Sequence, residues 1–214
     1  MFLILLQPDM GAAIIIFFLS IAMYFISDQN LTDLFLMLPI AAVGFIGLVF
    51  AAPYRLARLT AFMSPDKDPL GVGFHINQIL ISLSEGGIAG RGFGASRQKY
   101  LFLPEAHTDS IFAIIGEELG FIGTMLILFF YVVLLYKIYQ IYNIAGDKFG
   151  KLLAGGIFSF FALQILVNLG GMVNLMPLTG VTLPFLSYGG SSMITSFALV
   201  GIAINIAKQS KKLN

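Results

Sequence analysis

Leu103-Pro-Glu-Ala-His-Thr-Asp-Ser110 runs directly into Ile111-Phe-Ala-Ile-Ile-Gly-Glu-Glu-Leu-Gly120, and an apolar run then continues to Tyr142. This stretch decides the fold. It joins a polar, carboxylate-rich segment to a helix long enough to cross a bilayer, which takes about 20 mainly apolar residues. Ionisable groups at such a boundary are costly, so they are candidates for function. Composition agrees. Of the 214 residues, 58% are hydrophobic and 11% charged, where a soluble domain carries about 25% charged residues. The chain is therefore read as all-α, a polytopic membrane helix bundle. It has no cysteine, which excludes disulfides, thiolate metal sites and cysteine nucleophiles. A net charge of +1 with no long basic run gives no reason to expect nucleic acid.

About five spans are expected: Met10 to Ile26, Leu34 to Ala52, Ile111 to Tyr142, Leu152 to Leu175 and Leu183 to Ala207. Residues 53–109 form the one long polar region, read as an extracytoplasmic loop. Within it, His75 to Ser84 has Ile76, Ile79, Leu80 and Leu83 on one face. That pattern predicts a short amphipathic helix, interfacial or re-entrant because it is too short to span. Lys137, Lys148 and Lys151 flank one short loop, and Lys208, Lys211 and Lys212 end the chain. By the positive-inside rule both regions are cytoplasmic. The long loop then faces outward despite Arg55, Arg58, Lys67, Arg91, Arg97 and Lys99, because long loops largely escape that rule. Met1-Phe-Leu-Ile-Leu-Leu6 lacks the basic start of a signal peptide and is broken by Gln7-Pro8-Asp9. It reads as the tail of a helix, with an N-terminal half expected upstream.

Asp109 has two readings. One is a helix N-cap, since Thr108, Asp109 and Ser110 are all good capping residues. The other is a carboxylate at the bilayer edge, its pKa raised by partial burial, placed to take a proton from a sugar hydroxyl. Glu105, four residues earlier, suggests a two-carboxylate arrangement. His107 would tune Asp109 or bind phosphate, or is a plain loop histidine. Gly86-Gly-Ile-Ala-Gly-Arg-Gly-Phe-Gly94 is either a flexible turn or a backbone that approaches a pyrophosphate, with Arg91 and Lys99 supplying charge. Asp66-Lys67-Asp68 lacks the further oxygen ligands of a calcium loop, and His75 and His107 stand 32 positions apart, so no zinc pairing is read. Gly180 to Ser192 opens the last expected span with glycines and hydroxyls, suited to close packing or to an anion at a helix N-terminus. Gln164, Asn168 and Asn174 are expected to make interhelical hydrogen bonds, and Asp9 to cap the first full span.

Taken together, Gln7 to Gly11, Pro53-Tyr-Arg55 with Arg58, Gly73-Phe-His75 with Gln78, Gly90 to Gly94, Gln98-Lys99, Leu103 to Asp109, Gly116 to Gly120, Phe149-Gly150 and Met176 to Ser192 resemble the SEDS family, the FtsW/RodA/SpoVE proteins, most nearly its FtsW/SpoVE branch. The order is that of the family, and the resemblance covers essentially the whole chain as the C-terminal half of a ten-span protein. It implies peptidoglycan glycosyltransferase activity on lipid II at the outer face of the bacterial cytoplasmic membrane, in division or wall growth. It also implies a class B penicillin-binding protein as transpeptidase partner, among other divisome or elongasome membrane proteins. Asp109 is then the catalytic base. Arg55, Arg58, Gln78, Arg91, Lys99, Glu105, His107, Thr108, Ser187, Gly189, Gly190 and Ser191 are the expected substrate-binding residues. No cofactor is assigned, and a divalent cation could share the pyrophosphate charge with these cations. The rival readings are a lipid II flippase, which needs no base at Asp109, and a non-catalytic truncated scaffold.

Overall fold

The structure, a computed structural model, describes residues 9–27, 29–50, 53–64, 71–101, 103 and 105–213. Met1 to Pro8, Asp66 to Asp68 and Pro104 lie outside the described residues. Among the described residues eight helices follow one another: α1 (Met10–Ile26), α2 (Leu31–Phe50), α3 (Pro53–Met63), α4 (Val72–Glu85), α5 (Gln98–Leu101), α6 (Ile111–Ile144), α7 (Lys148–Met172) and α8 (Gly190–Leu213). No strand occurs among the described residues. Among the described residues three helices are long and apolar enough to cross a membrane, namely α6, α7 and the Gly190–Ser210 part of α8, and α1 is a shorter apolar helix. Along α6 the bilayer requirement is visible in the side chains: Phe121, Ile122, Leu126, Phe129, Phe130 and Val132 are all exposed.

The segment after Pro53 is far less loop-like than its polarity suggests. Pro53 starts α3 instead of ending a span, as proline's fixed φ and missing N–H allow at a first helical position. The amphipathic helix, α4, has 14 residues. The last span also begins later than expected. Leu183 to Gly189 is not helical, and the helix opens at Gly190 and runs on through the lysines of the tail to Leu213.

The chain divides into two compact units, Met1–Leu56 with Leu134–Leu163 and Ile194–Asn214, and Ala57–Val133 with Gln164–Met193. In the first unit, Asp9 caps α1 by accepting the Ala12 N–H at 2.9 Å. Small residues on α7 let α1 come close. A Cβ at Gly156 would lie 2.7 Å from the Met23 sulfur, and one at Gly155 would lie 3.0 Å from Ile26, the close approach that glycine permits between membrane helices. Gly146 donates its N–H to the Ser210 hydroxyl at 3.3 Å.

In the second unit the glycine-rich segment lies against the start of α6, backbone on backbone. Arg91 N–H donates to the Glu117 carbonyl at 2.9 Å, Gly92 N–H to Glu118 at 3.0 Å, and Phe121 N–H to Gly87 at 2.9 Å. This contact interrupts α6. Gly120 adopts φ 65°, ψ −162°, a conformation open to glycine. The nine residues before it form a separate short helix bearing Glu117 and Glu118. The part after Gly120 rises roughly 36 Å at about 1.5 Å per residue, enough for a hydrocarbon core of about 30 Å.

The approach leaves no room at Gly90, which has φ +79° and whose Cβ would collide with the Glu118 carbonyl. Gly94 has a similar φ, +81°, but open space around its Cβ position. Gly90→Ala is therefore expected to lower thermal stability markedly, because strain and a backbone collision combine. Gly94→Ala should cost only the strain of about 1 kcal/mol. Melting temperatures in detergent check the pair; equal losses would mean the loop does not pack as described.

Candidate active site around Asp109

Residues 105–110 form a tight turn ahead of α6. Glu105 takes a left-handed conformation, φ 51°, and its carbonyl accepts the N–H of Thr108 at 3.1 Å and of Ser110 at 3.3 Å. The Thr108 hydroxyl donates to the Glu105 carboxylate at 2.8 Å. Asn168 of α7 fixes the turn from behind. Its amide donates to the Asp109 carbonyl at 2.8 Å and to the Val181 carbonyl at 2.7 Å.

The Asp109 side chain is buried, with 8% of the residue's surface exposed. A small pocket beside it is bordered by Asn168, Met172, Leu178, Gly180 and Val181. The carboxylate receives weak compensation: the Thr108 and Ser110 hydroxyls lie 3.4 and 3.5 Å from Oδ1, too far for strong hydrogen bonds. Burial therefore raises the Asp109 pKa above the ordinary value. The positive field of His75 works against that rise, and the Glu105 charge adds to it. Gly180, exposed and with φ +74°, forms the open side. A Cβ there would stand 3.7 Å from Asp109 Oδ2 and 3.9 Å from an Arg58 guanidinium nitrogen. Arg58 is itself aimed by donating to the Leu178 carbonyl at 3.2 Å. A carboxylate reluctant to ionise and a cation thus border one open glycine. Such a pair can accept a proton and neutralise developing negative charge.

A second group of expected residues lies nearby in this unit. Tyr188 N–H donates to the His107 carbonyl at 2.8 Å, joining the turn to the loop before α8. His107, Ile111, Leu186, Ser187, Tyr188 and Met193 line a cavity of about 380 Å³. The buried Ser187 hydroxyl accepts the Leu183 N–H at 2.6 Å. Gly189 and Gly190 open α8, where the Gly189 carbonyl accepts the Met193 N–H at 2.9 Å, and Ser191 follows in the first turn. Gln78 sits on α4, half-buried, one turn from His75. Arg55 belongs to the first unit and donates to the Tyr54 hydroxyl at 2.9 Å.

Arg91 and Lys99, expected to meet a pyrophosphate, are instead engaged with carboxylates of the chain itself. Arg91 pairs with Glu85 at 3.1 Å and Glu117 at 3.6 Å, and Lys99 with Glu118 at 2.7 Å. Glu117 is fully buried and also accepts from the Ser96 hydroxyl at 2.6 Å, the Ser82 hydroxyl at 3.2 Å and the Arg97 N–H at 2.9 Å. A buried carboxylate needs such partners, and the glycine-rich backbone lies against the start of α6. The interhelical hydrogen bonds expected of Gln164, Asn168 and Asn174 also differ. Gln164 donates to Thr182 at 3.2 Å and Asn168 to two loop carbonyls, while Asn174 lies in the turn after α7. His75 was the residue missed. Its Nε2 shares a hydrogen bond of 2.8 Å with the Ser110 hydroxyl, and only its place in a family motif marked it in the sequence.

The chain belongs to the FtsW/RodA/SpoVE family of cell cycle proteins, whose family model matches residues 1–212. It is 44% identical over 209 residues to stage V sporulation protein E of Bacillus subtilis, covering 98% of this chain and 57% of that protein. It is 42% identical over 205 residues to a probable peptidoglycan glycosyltransferase FtsW of Trichlorobacter lovleyi, covering 96% and 54%. The fold matches a chain of a peptidoglycan synthase complex that coordinates polymerization and crosslinking, with a TM-score of 0.75, 28% identity and coverage of 97% and 58%. It also matches the Thermus thermophilus rod shape determining protein RodA, with a TM-score of 0.60, 26% identity and coverage of 94% and 50%. The chain thus spans a little over half the length of the curated relatives it matches. With its long apolar helices, this membership makes it a multi-pass protein of the cytoplasmic membrane.

Because Lys99 is committed to Glu118, Lys99→Ala should destabilise the unit by about 1.5–3 kcal/mol, the range for hydrogen bonds to charged groups. Arg97→Ala, which keeps the backbone N–H that Glu117 uses, should be within about 0.5 kcal/mol of the parent. Thermal unfolding of the two variants measures the difference. Equal stability would leave Lys99 available for substrate.

Proposed function

We propose that the protein of which this fold forms the catalytic part is a peptidoglycan glycosyltransferase, polymerising lipid II at the outer face of the cytoplasmic membrane. The observation that carries the reading is the buried Asp109 carboxylate beside Arg58 at the open Gly180 edge. Asp109 takes the proton of the acceptor's 4-hydroxyl as that oxygen attacks the donor's anomeric carbon, and undecaprenyl pyrophosphate leaves. Arg58 is the cation at hand for the negative charge. A divalent ion sharing that role would show as loss of activity on chelation. The cavity beside His107 and Ser187 suits a sugar with an apolar neighbour. A polyprenyl substrate explains a site next to a long lipid-exposed helix, since the chain stays in hydrocarbon while the sugars reach the turn. A class B penicillin-binding protein is the proposed transpeptidase partner, supported by the likeness to a chain of a synthase complex.

Asp109→Asn keeps shape and removes the base, so polymerisation should fall by about 10²–10⁴-fold. The fold should survive. Burial raises the carboxyl pKa, so ionised Asp109 opposes folding increasingly as pH rises through that value, and neutral asparagine escapes the penalty at pH 7. The assay is glycan strand synthesis from purified lipid II, with melting temperature as the folding control. It is run on this chain and on a chimera in which the N-terminal part of the Bacillus subtilis relative precedes it. Near-normal synthesis by Asp109→Asn would remove the base, and no synthesis by the parent chimera would favour the flippase reading.

A further inference from the structure

We infer that His75 is the group that resets Asp109 after each sugar transfer, receiving its proton through the hydroxyl of Ser110. The inference rests on Asp109 being the base. Once Asp109 has taken the sugar proton it is a neutral acid, and it must lose that proton before the next addition. It is buried, so the proton leaves through protein groups or waits for the substrate to vacate the open edge.

Two hydroxyls touch its carboxyl, and each leads to a titratable group. Thr108, 3.4 Å from Oδ1, leads to the Glu105 carboxylate at 2.8 Å. Ser110, 3.5 Å from Oδ1, leads to His75 Nε2 at 2.8 Å. Both first legs are long, as catalytic hydrogen bonds are before substrate closes a site. Basicity decides between the routes. Imidazole is as a class the stronger base, and unlike a carboxylate it can take a proton at one ring nitrogen and give one up at the other. His75 is half-buried and Ser110 fully buried. The serine is therefore shielded from solvent while the histidine can exchange with it. The charged groups that act on Asp109 are His75 from α4 and Glu105 from its own turn, and Arg58 of α3 stands across the Gly180 edge. From α7 and the loop after it, Asn168 and Thr179 present no charge.

The step balances. The Asp109 O–H bond breaks and Ser110 Oγ takes that proton while its own hydroxyl proton passes to His75 Nε2. Each oxygen keeps its electron pair. The products are the Asp109 carboxylate, an unchanged serine hydroxyl and an imidazolium on the half-buried His75, which gives up its proton before the next cycle.

The test compares steady-state polymerisation by the active protein with that of His75→Gln, which can hydrogen-bond Ser110 but cannot carry a proton. The expected result is a kcat at least about ten-fold lower, with KM for lipid II within about two-fold. His75→Ala should show the same loss and recover activity with added imidazole. Full kcat in His75→Gln overturns the inference, and so does a loss in His75→Ala that imidazole does not rescue. If the His75 variants fail to fold, Ser110→Ala decides by the same kcat readout, since it removes one hydroxyl from the relay. Activity in Asp109→Asn would strike the base assignment itself, whereas this inference alone fails when Asp109 is essential and His75 and Ser110 are dispensable.

Discussion

The candidate site depends on one side chain that carries no charge. Asn168 donates both amide hydrogens to backbone, one to the Asp109 carbonyl and one to the Val181 carbonyl. Three segments distant in sequence are thereby held together: the turn 105–110, the end of α7 and the loop that contains Gly180. The bonds are made in a buried place, where a lost partner costs about 1–3 kcal/mol for each group left unpaired. Nothing else described holds Asp109 so directly at the edge of Gly180.

That arrangement leaves the Asp109 carboxylate weakly compensated by the hydroxyls beside it. A carboxylate meant only to stabilise would collect short hydrogen bonds, as Glu117 does from Ser96, Ser82 and Arg97. Asp109 collects long ones. The contrast between these two buried acids, eight positions apart in the sequence, separates the brace from the site. Glu117 and Glu118 tie the glycine-rich segment to the short helix before Gly120. Ser82 of α4 also donates to the Ala113 carbonyl at 3.1 Å, so the brace fixes α4, and α4 carries His75 to Ser110.

The helical membrane architecture was legible because long apolar runs have few other stable outcomes. Asp109 was legible as a candidate because a carboxylate at the mouth of such a run is costly. The roles of Arg91 and Lys99 were not. Lys99 meets Glu118 19 positions away, Arg91 meets both the nearby Glu85 and the distant Glu117, and charge alone does not distinguish an ion pair from a phosphate contact. Helix α3 was hidden because Pro53 reads as a stop unless its place at a helix start is known. His75 was hidden because Ser110, its partner, is 35 positions away and no local periodicity joins them. The break at Gly120 was invisible because the apolar pattern continues through it; only the backbone contact with the glycine-rich segment imposes it.

The most direct measurement is the dependence of single-turnover polymerisation on pH. The base works ionised, and burial lifts Asp109 above the ordinary aspartate value of 3.8, with His75 offsetting part of the rise. Activity should therefore be lost as pH falls through a midpoint above 3.8, and the residual activity of Asp109→Asn should lack that acid limb. A midpoint at or below 3.8, or the same limb in Asp109→Asn, would contradict the assignment of Asp109 as a buried general base.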